Sequence, residues 1–299
     1  MDTRCEAPRI AAAAAPVEQR LDLHLKDIMN LFISADIEGV AGICSSSEGD
    51  HAQQSEYRPF RQQMTAEVAA ACAGGFSAGA HTIVVKDAHY SGRNLDLHQL
   101  VAPAGKHLHV TRGWSGHPFS MVQGLDASFD ALAFVGYHSA GGRGGNPLSH
   151  TMSGAMFARV ELNGVIASEF LLFSYAAASV GVPVVFLSGD AALCDEAQTL
   201  IDNIVTVPTM EGIGASVTSI TPVEAVRRIE EGMNQAMAGK AARPLVLPKS
   251  FNLKLVFNKH ADAYEKSFYP GVRKDNDTEL VLESAHYFDI LTFLMFACK

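Results

Sequence analysis

The stretch Leu31-Phe32-Ile33-Ser34-Ala35-Asp36-Ile37-Glu38-Gly39-Val40 constrains the fold more than any other part of the chain. It opens as a short apolar run and closes on two carboxylates beside a glycine. A run of this length that stops at a turn signal reads as a strand buried on both faces, the kind found in parallel sheets covered by helices. Asp36 and Glu38 are two apart, so in extended backbone they point the same way. Like charges held side by side are unfavourable unless something positive lies between them. Two readings are open at this point. Either the pair holds a metal ion, or Asp36 caps a turn and Glu38 is solvated.

The 299 residues, 48% hydrophobic and 18% charged, suffice for a sizeable core in one large domain or two ordinary ones. A net charge of -9 argues against nucleic acid, whose phosphates call for a basic face. Cys5, Cys44, Cys72, Cys194 and Cys298 are scattered and form no CxxC pair, which fits a reducing, cytoplasmic setting better than a disulfide scaffold. No apolar run reaches the roughly 18 residues of a membrane span. The alanines at 11–15 are too few and too weakly apolar for a signal peptide. Residues 1–29 are therefore expected to be a flexible extension, with 30–245 an α/β domain and 246–299 a smaller C-terminal α/β lobe.

Along the chain, 82–86 reads as a second strand running into Asp87-Ala88-His89, after a helix over 56–79 that Gly74, Gly75 and Gly79 loosen and end. A strand at 107–111 follows. Residues 131–136 form another apolar strand, delivering Tyr137-His138. Gly141, Gly142, Gly144 and Gly145 then make a candidate lid or substrate loop, and His150 comes just after it. Asn163-Gly164 marks a hairpin between 156–162 and 165–167, and Glu169 opens a helix. A strand over 182–187, helices over 192–201 and 222–238, and a short strand at 205–207 complete the larger domain. The fold expected is α/β, with a mostly parallel central sheet flanked by helices and a smaller C-terminal α/β portion.

Asp36 and Glu38, Asp87 and His89, and His138 each follow an apolar strand, and a parallel sheet gathers such strand ends on one edge. With Glu169, and with Asp87 left aside, they make three carboxylates and two imidazoles, an oxygen and nitrogen donor set that suits Zn²⁺ and has enough donors for two ions. Any one of these positions, taken alone, is more often a turn or cap residue. Asp87 is open between orienting the His89 imidazole and shaping a turn. His98, His107, His109 and His117 read as structural or exposed, Asp190 as a helix cap, and Trp114, Arg112 and His117 as weak pocket candidates.

The runs Ser34-Ala35-Asp36-Ile37-Glu38-Gly39, Asp87-Ala88-His89, Ser120-Met121-Val122-Gln123-Gly124-Leu125-Asp126, Gly136-Tyr137-His138 and Leu148-Ser149-His150-Thr151-Met152 resemble, in order, the M55 family of metallopeptidases, whose best-known members are bacterial D-aminopeptidases. The likeness spans about 31–298. It implies a zinc aminopeptidase with two Zn²⁺ per subunit, held by Asp36, Glu38, His89, His138 and Glu169, with Asp36 the bridge and His150 catalytic rather than a ligand. It also implies a homo-oligomer, a ring-built decamer. The expected substrate is a short peptide or aminoacyl amide, with a D-residue at its N-terminus. A β-amino-acid or other non-standard residue there is the alternative, and a non-catalytic interaction protein on this fold is a remoter one. The glycine-rich loop and the segment 39–57 depart from the family's familiar form, so substrate preference is the property the resemblance constrains least.

Overall fold

A computed structural model describes residues 29–239 and 242–299; the expected extension at 1–29 lies, but for Met29, outside them. The chain begins with β1 (Met29–Ala35), a one-turn helix at Ser46–Gly49, α1 (Gln54–Ser77), β2 (Ala80–Asp87), β3 (His107–Thr111) and β4 (Ala131–Tyr137). Next come the hairpin β5 (Phe157–Leu162) and β6 (Val165–Ile166), then α2 (Glu169–Ser179), β7 (Val184–Asp190) and α3 (Ala191–Leu200). The hairpin β8 (Val205–Ile213) and β9 (Ser216–Ser219) precedes α4 (Pro222–Ala238). The chain closes with β10 (Phe251–Phe257), α5 (His260–Lys266), β11 (Arg273–Lys274), β12 (Glu279–Ser284) and α6 (Tyr287–Ala297).

The larger sheet has the order β3-β2-β1-β4-β7-β8-β9 and is parallel except for its edge pair β8–β9. The chain winds outward from β1 to β3, then returns to β4 on the other side of β1. That reversal places a crevice between the C-terminal ends of β1 and β4, where open α/β sheets bind ligands.

The alternation of β1 explains the layering. Leu31, Ile33 and Ala35 join Met64, Val68 and Ala71 of α1 and Ile229 and Met233 of α4 in one core. Phe32, on the opposite face, joins Phe134, Phe170 of α2, Leu253 and Leu255 of β10 and Phe293 of α6 in a second. The second sheet, antiparallel with the order β11-β12-β10-β5-β6, lies in that other layer. Its β5–β6 hairpin comes from before residue 245 and pairs with β10 from after it, so both stretches share one sheet and one core.

Gly74 neither loosens nor ends α1. It lies inside the helix, where a Cβ would come within 2.3 Å of the Glu230 carbonyl oxygen of α4, so the glycine permits a close helix–helix approach. The polar stretch after β1 contains the helical turn Ser46–Gly49, capped at its start by a capping box between Ser45 and Glu48. Among the described residues no helix is long and apolar enough to cross a membrane.

Candidate metal centre and active site

Asp36 follows β1 directly, and its N–H donates to the Val135 carbonyl of β4 at 2.8 Å, carrying the β1–β4 ladder one step beyond the strand. Gly39 N–H then donates to Gly136 O at 2.8 Å. A Cβ on Gly39 would lie 1.8 Å from the Tyr137 carbonyl oxygen, so only glycine lets the turn carrying Glu38 lie against β4. His89 sits two residues past β2, His138 one past β4, and Glu169 is the first residue of α2. Ser168 caps that helix by accepting from Leu171 N–H at 3.1 Å.

These five residues converge. His89 Nδ1 is 3.1 Å from Glu38 Oε2 and 3.3 Å from Asp36 Oδ1. His138 Nε2 is 3.5 Å from Glu169 Oε2 and 3.7 Å from Asp36 Oδ2. Ligand atoms of Asp36, Glu38 and His89 lie within 4.8 Å of one another, as do those of Asp36, His138 and Glu169, so Asp36 belongs to both trios. A third trio joins Glu38, His138 and His150.

Each imidazole is oriented from behind. His89 Nε2 is 2.8 Å from the Gly49 carbonyl oxygen, His138 Nδ1 is 3.0 Å from that of Ser139, and His150 Nδ1 is 2.9 Å from that of Leu148. A ring that donates one N–H to a carbonyl leaves the other nitrogen's lone pair facing the cluster, as a metal ligand requires. Asp87 does not take part in this orientation. Its carboxylate accepts from Asn94 N–H, Asn94 Nδ2 and Leu95 N–H at 2.5, 2.7 and 2.9 Å, and Asn94 Nδ2 also donates to the His89 carbonyl at 2.7 Å. Asp87 therefore shapes the loop after His89 and not the imidazole.

The electrostatics ask for positive charge. Burial and the neighbouring Glu38 push Asp36 well above the carboxylate range. Burial also works against Glu38 and Glu169, but His89 and His138 respectively outweigh it and hold both below their ordinary value. Burial alone would lower the imidazoles. Instead Glu169 pushes His138 up to about 10, and Glu38 raises His89 well above its ordinary range. Glu38 Oε2, His138 Nε2 and Glu169 Oε2 are buried and make no hydrogen bond. Orphaned donor atoms aimed at one another in a mixed carboxylate–imidazole set fit a divalent cation, which would replace the protons the imidazoles otherwise hold.

His150 differs from the five. Its side chain is 25% exposed, whereas theirs range from 0% to 11%. Its ring stacks on His138 at a centroid distance of 4.4 Å, and Nε2 is 3.9 Å from Glu169 Oε1. It borders two cavities that meet on the cluster. The stretch Pro147–His150 borders one of them, and Gly141, Gly142, Gly144 and Gly145 before it border neither. Asp190 accepts from Ser139 N–H at 2.7 Å, Ser139 Oγ at 2.6 Å and Asn146 Nδ2 at 3.3 Å, and Asn146 Nδ2 also donates to Glu38 O at 2.9 Å. Asp190 thus caps α3 through Leu193 N–H and anchors the loop as well. Trp114 and His117 line a cavity on the cluster; Arg112 does not. Gly49, whose carbonyl orients His89, carried no chemical signal in the sequence.

The known proteins that this chain resembles are peptidases. A D-aminopeptidase of Bacillus subtilis (strain 168) is 30% identical over 255 residues, which cover 85% of this chain and 90% of the relative. The solved structure of Zn-dependent D-aminopeptidase DppA from Bacillus subtilis, described as a self-compartmentalizing protease, superposes with a TM-score of 0.83 at 26% identity, over 90% of this chain and 96% of that one. The family model for M55 peptidases, the D-aminopeptidases, matches residues 29–296, the whole span that carries the cluster, and the chain belongs to that family.

Proposed function

We propose that the protein is a two-zinc aminopeptidase that hydrolyses the N-terminal amide of short peptides or aminoacyl amides bearing a D-residue. The observation that carries the reading is the pair of ligand trios sharing Asp36. Asp36, Glu38 and His89 would hold one ion; Asp36, His138 and Glu169 would hold the other. When bound, such a pair lowers the pKa of water and polarises a carbonyl.

His150 is the proton carrier. Its Nδ1 is committed to Leu148 O, so Nε2 is free to take a proton from the attacking water and deliver it to the leaving nitrogen as the C–N bond breaks. The Gly49, Ser139 and Leu148 carbonyls fix the three rings. The D-residue preference rests on the family and on the named relatives.

His150→Ala is expected to lower kcat by about 10²–10⁴-fold while zinc content, measured by elemental analysis, stays at two per chain. Retention of wild-type kcat would remove His150 from the mechanism. A panel of D-, L- and β-aminoacyl amides separates the D-specific reading from the β-residue one. By the same family argument the chain assembles as a ring-built decamer. Native mass spectrometry should then show a particle of ten 32.0 kDa chains, and a monomer at micromolar concentration would refute this.

A further inference from the structure

Two cavities open onto the cluster, and their walls differ. One, of about 590 Å³, is bordered by Ser46, Ser47, Asp50, Gln53 and Ser149, groups suited to hydrogen-bonding a peptide backbone. The other, of about 450 Å³, is walled by Trp114, His117, Met121, Gln123, Met152 and Met295. Both volumes fall in the range of small-ligand pockets, about 300–1,000 Å³. Thioethers and an indole face make an adaptable apolar wall.

The second cavity is built with some care. Trp114 is fixed from two sides. Its Nε1 donates to the Tyr90 carbonyl at 2.8 Å, and Lys86 Nζ lies 3.9 Å from the ring centroid. Lys86 is fully buried, and its ammonium also donates to the carbonyls of Asp87 at 2.6 Å and Gly113 at 2.8 Å. It forms no ion pair among the described residues, so a buried charge is kept where it holds this ring and the loop carrying it.

Backbone strain collects at the same place. Five non-glycine residues among those described have positive φ: Tyr90, Ser120, Met152, Asn163 and Asn203. The two asparagines sit in turns, where that conformation costs little. Tyr90 (43°), Ser120 (39°) and Met152 (64°) all line the second cavity. Strain of this kind clusters where a site's geometry needs it.

We propose that this cavity receives the side chain of the residue being removed, that Trp114 is its main specificity-determining wall, and that it favours bulky apolar or thioether side chains over alanine or glycine. The inference rests on the aminopeptidase reading. The removed residue must present both its amine and its carbonyl to the cluster. Asp36, Glu38, His89, His150 and Glu169 all border this cavity, whereas only Glu38, His89 and His150 border the polar one. The rest of the peptide then leaves along the polar cavity.

Trp114 is the chain's single tryptophan, so its emission reports on this wall directly. Zinc-loaded protein is titrated with free methionine, phenylalanine, leucine, alanine and glycine of both hands, and kcat/KM is measured for the matching aminoacyl amides in wild type, Trp114→Ala and Met295→Ala. The expected result is an emission change at concentrations about tenfold or more lower for the bulky residues than for alanine, and a ratio of bulky to alanyl kcat/KM that falls about tenfold or more in Trp114→Ala. Hydrolysis with that ratio unchanged in both variants overturns the pocket and leaves the peptidase reading standing. No hydrolysis of any amide defeats the peptidase reading, and the emission titration still decides the pocket: a response graded by side-chain size supports it, and none overturns it.

Discussion

Glu67 shows what a buried carboxylate looks like when no partner charge is supplied. It sits in the middle of α1, fully buried, with Oε1 accepting from Ala41 N–H and Gln63 Nε2 at 2.8 Å each and Oε2 without a partner. Burial lifts it from an ordinary 4.5 to about 7 despite those two hydrogen bonds. Between these values the folded state binds a proton that the unfolded state has released. Stability therefore falls as pH rises from 4.5 to 7 and stays low above it, by an amount on the order of 3 kcal/mol. Glu67→Gln keeps the Ala41 acceptor and removes the titration. It is expected to stabilise the fold by about 1–3 kcal/mol at pH 8 and to have little effect at pH 5. Denaturant unfolding at the two pH values checks this, and an equal effect at both would refute the assignment. The residues of the metal centre differ from Glu67 in the sequence as well as in space. Each of Asp36, Glu38, His89 and His138 follows an apolar strand, so its address was legible, whereas Glu67 lies in the middle of a helix with nothing to mark it.

At the level of elements, legibility followed the strength of the local signal. The amphipathic helix α4 runs from Pro222 to Ala238 as its periodicity predicts, with Thr221 accepting from Glu224 N–H and proline at its start. β1, β2, β4 and β7 were readable because strands buried on both faces are continuous apolar runs. The edge hairpin was not. β8 continues past Pro208 to Ile213, and β9 is Ser-Val-Thr-Ser, which carries no apolar run to announce a strand. The glycine-rich loop hid its anchoring for a different reason. Its composition suggests freedom, but Asp190, 44 to 51 residues away in sequence, ties it down through Ser139 and Asn146. The same loop reaches Glu38 O through Asn146, so an element that sequence reads as a lid or substrate loop is also part of the frame behind the site. Asp87 and Asn94 make a similar frame on the other side. Such partnerships depend on tertiary proximity, which spacing along one chain does not encode.

For the whole molecule, the placement of the cluster makes metal a structural matter as well as a chemical one. Asp36, His89 and His138 extend from three neighbouring strands of the larger sheet, while Glu169 begins the helix that follows the β5–β6 hairpin of the second sheet. The five side chains thus join the larger sheet to the helix that follows the second, where Glu38 Oε2, His138 Nε2 and Glu169 Oε2 are buried without hydrogen-bond partners. Without a cation, the three buried carboxyl groups are balanced by protons on two imidazoles and on Asp36 itself, which burial and the neighbouring Glu38 push well above the carboxylate range. A ligand that binds only the folded state stabilises it by RT ln(1 + [L]/Kd), about 2.7 kcal/mol at a hundredfold excess over Kd. In a chain of this size that corresponds to a melting temperature higher by about 4 °C. Stripping with chelator followed by dialysis should therefore lower Tm by at least that much. Added Zn²⁺ should restore it, and Asp36→Ala, which removes the residue common to both trios, should lose the response to zinc. Scanning calorimetry at fixed protein concentration keeps the assembly state comparable across the three samples. Identical melting with and without zinc would mean that the five residues hold their geometry unaided, and the two-ion site would lose its physical basis.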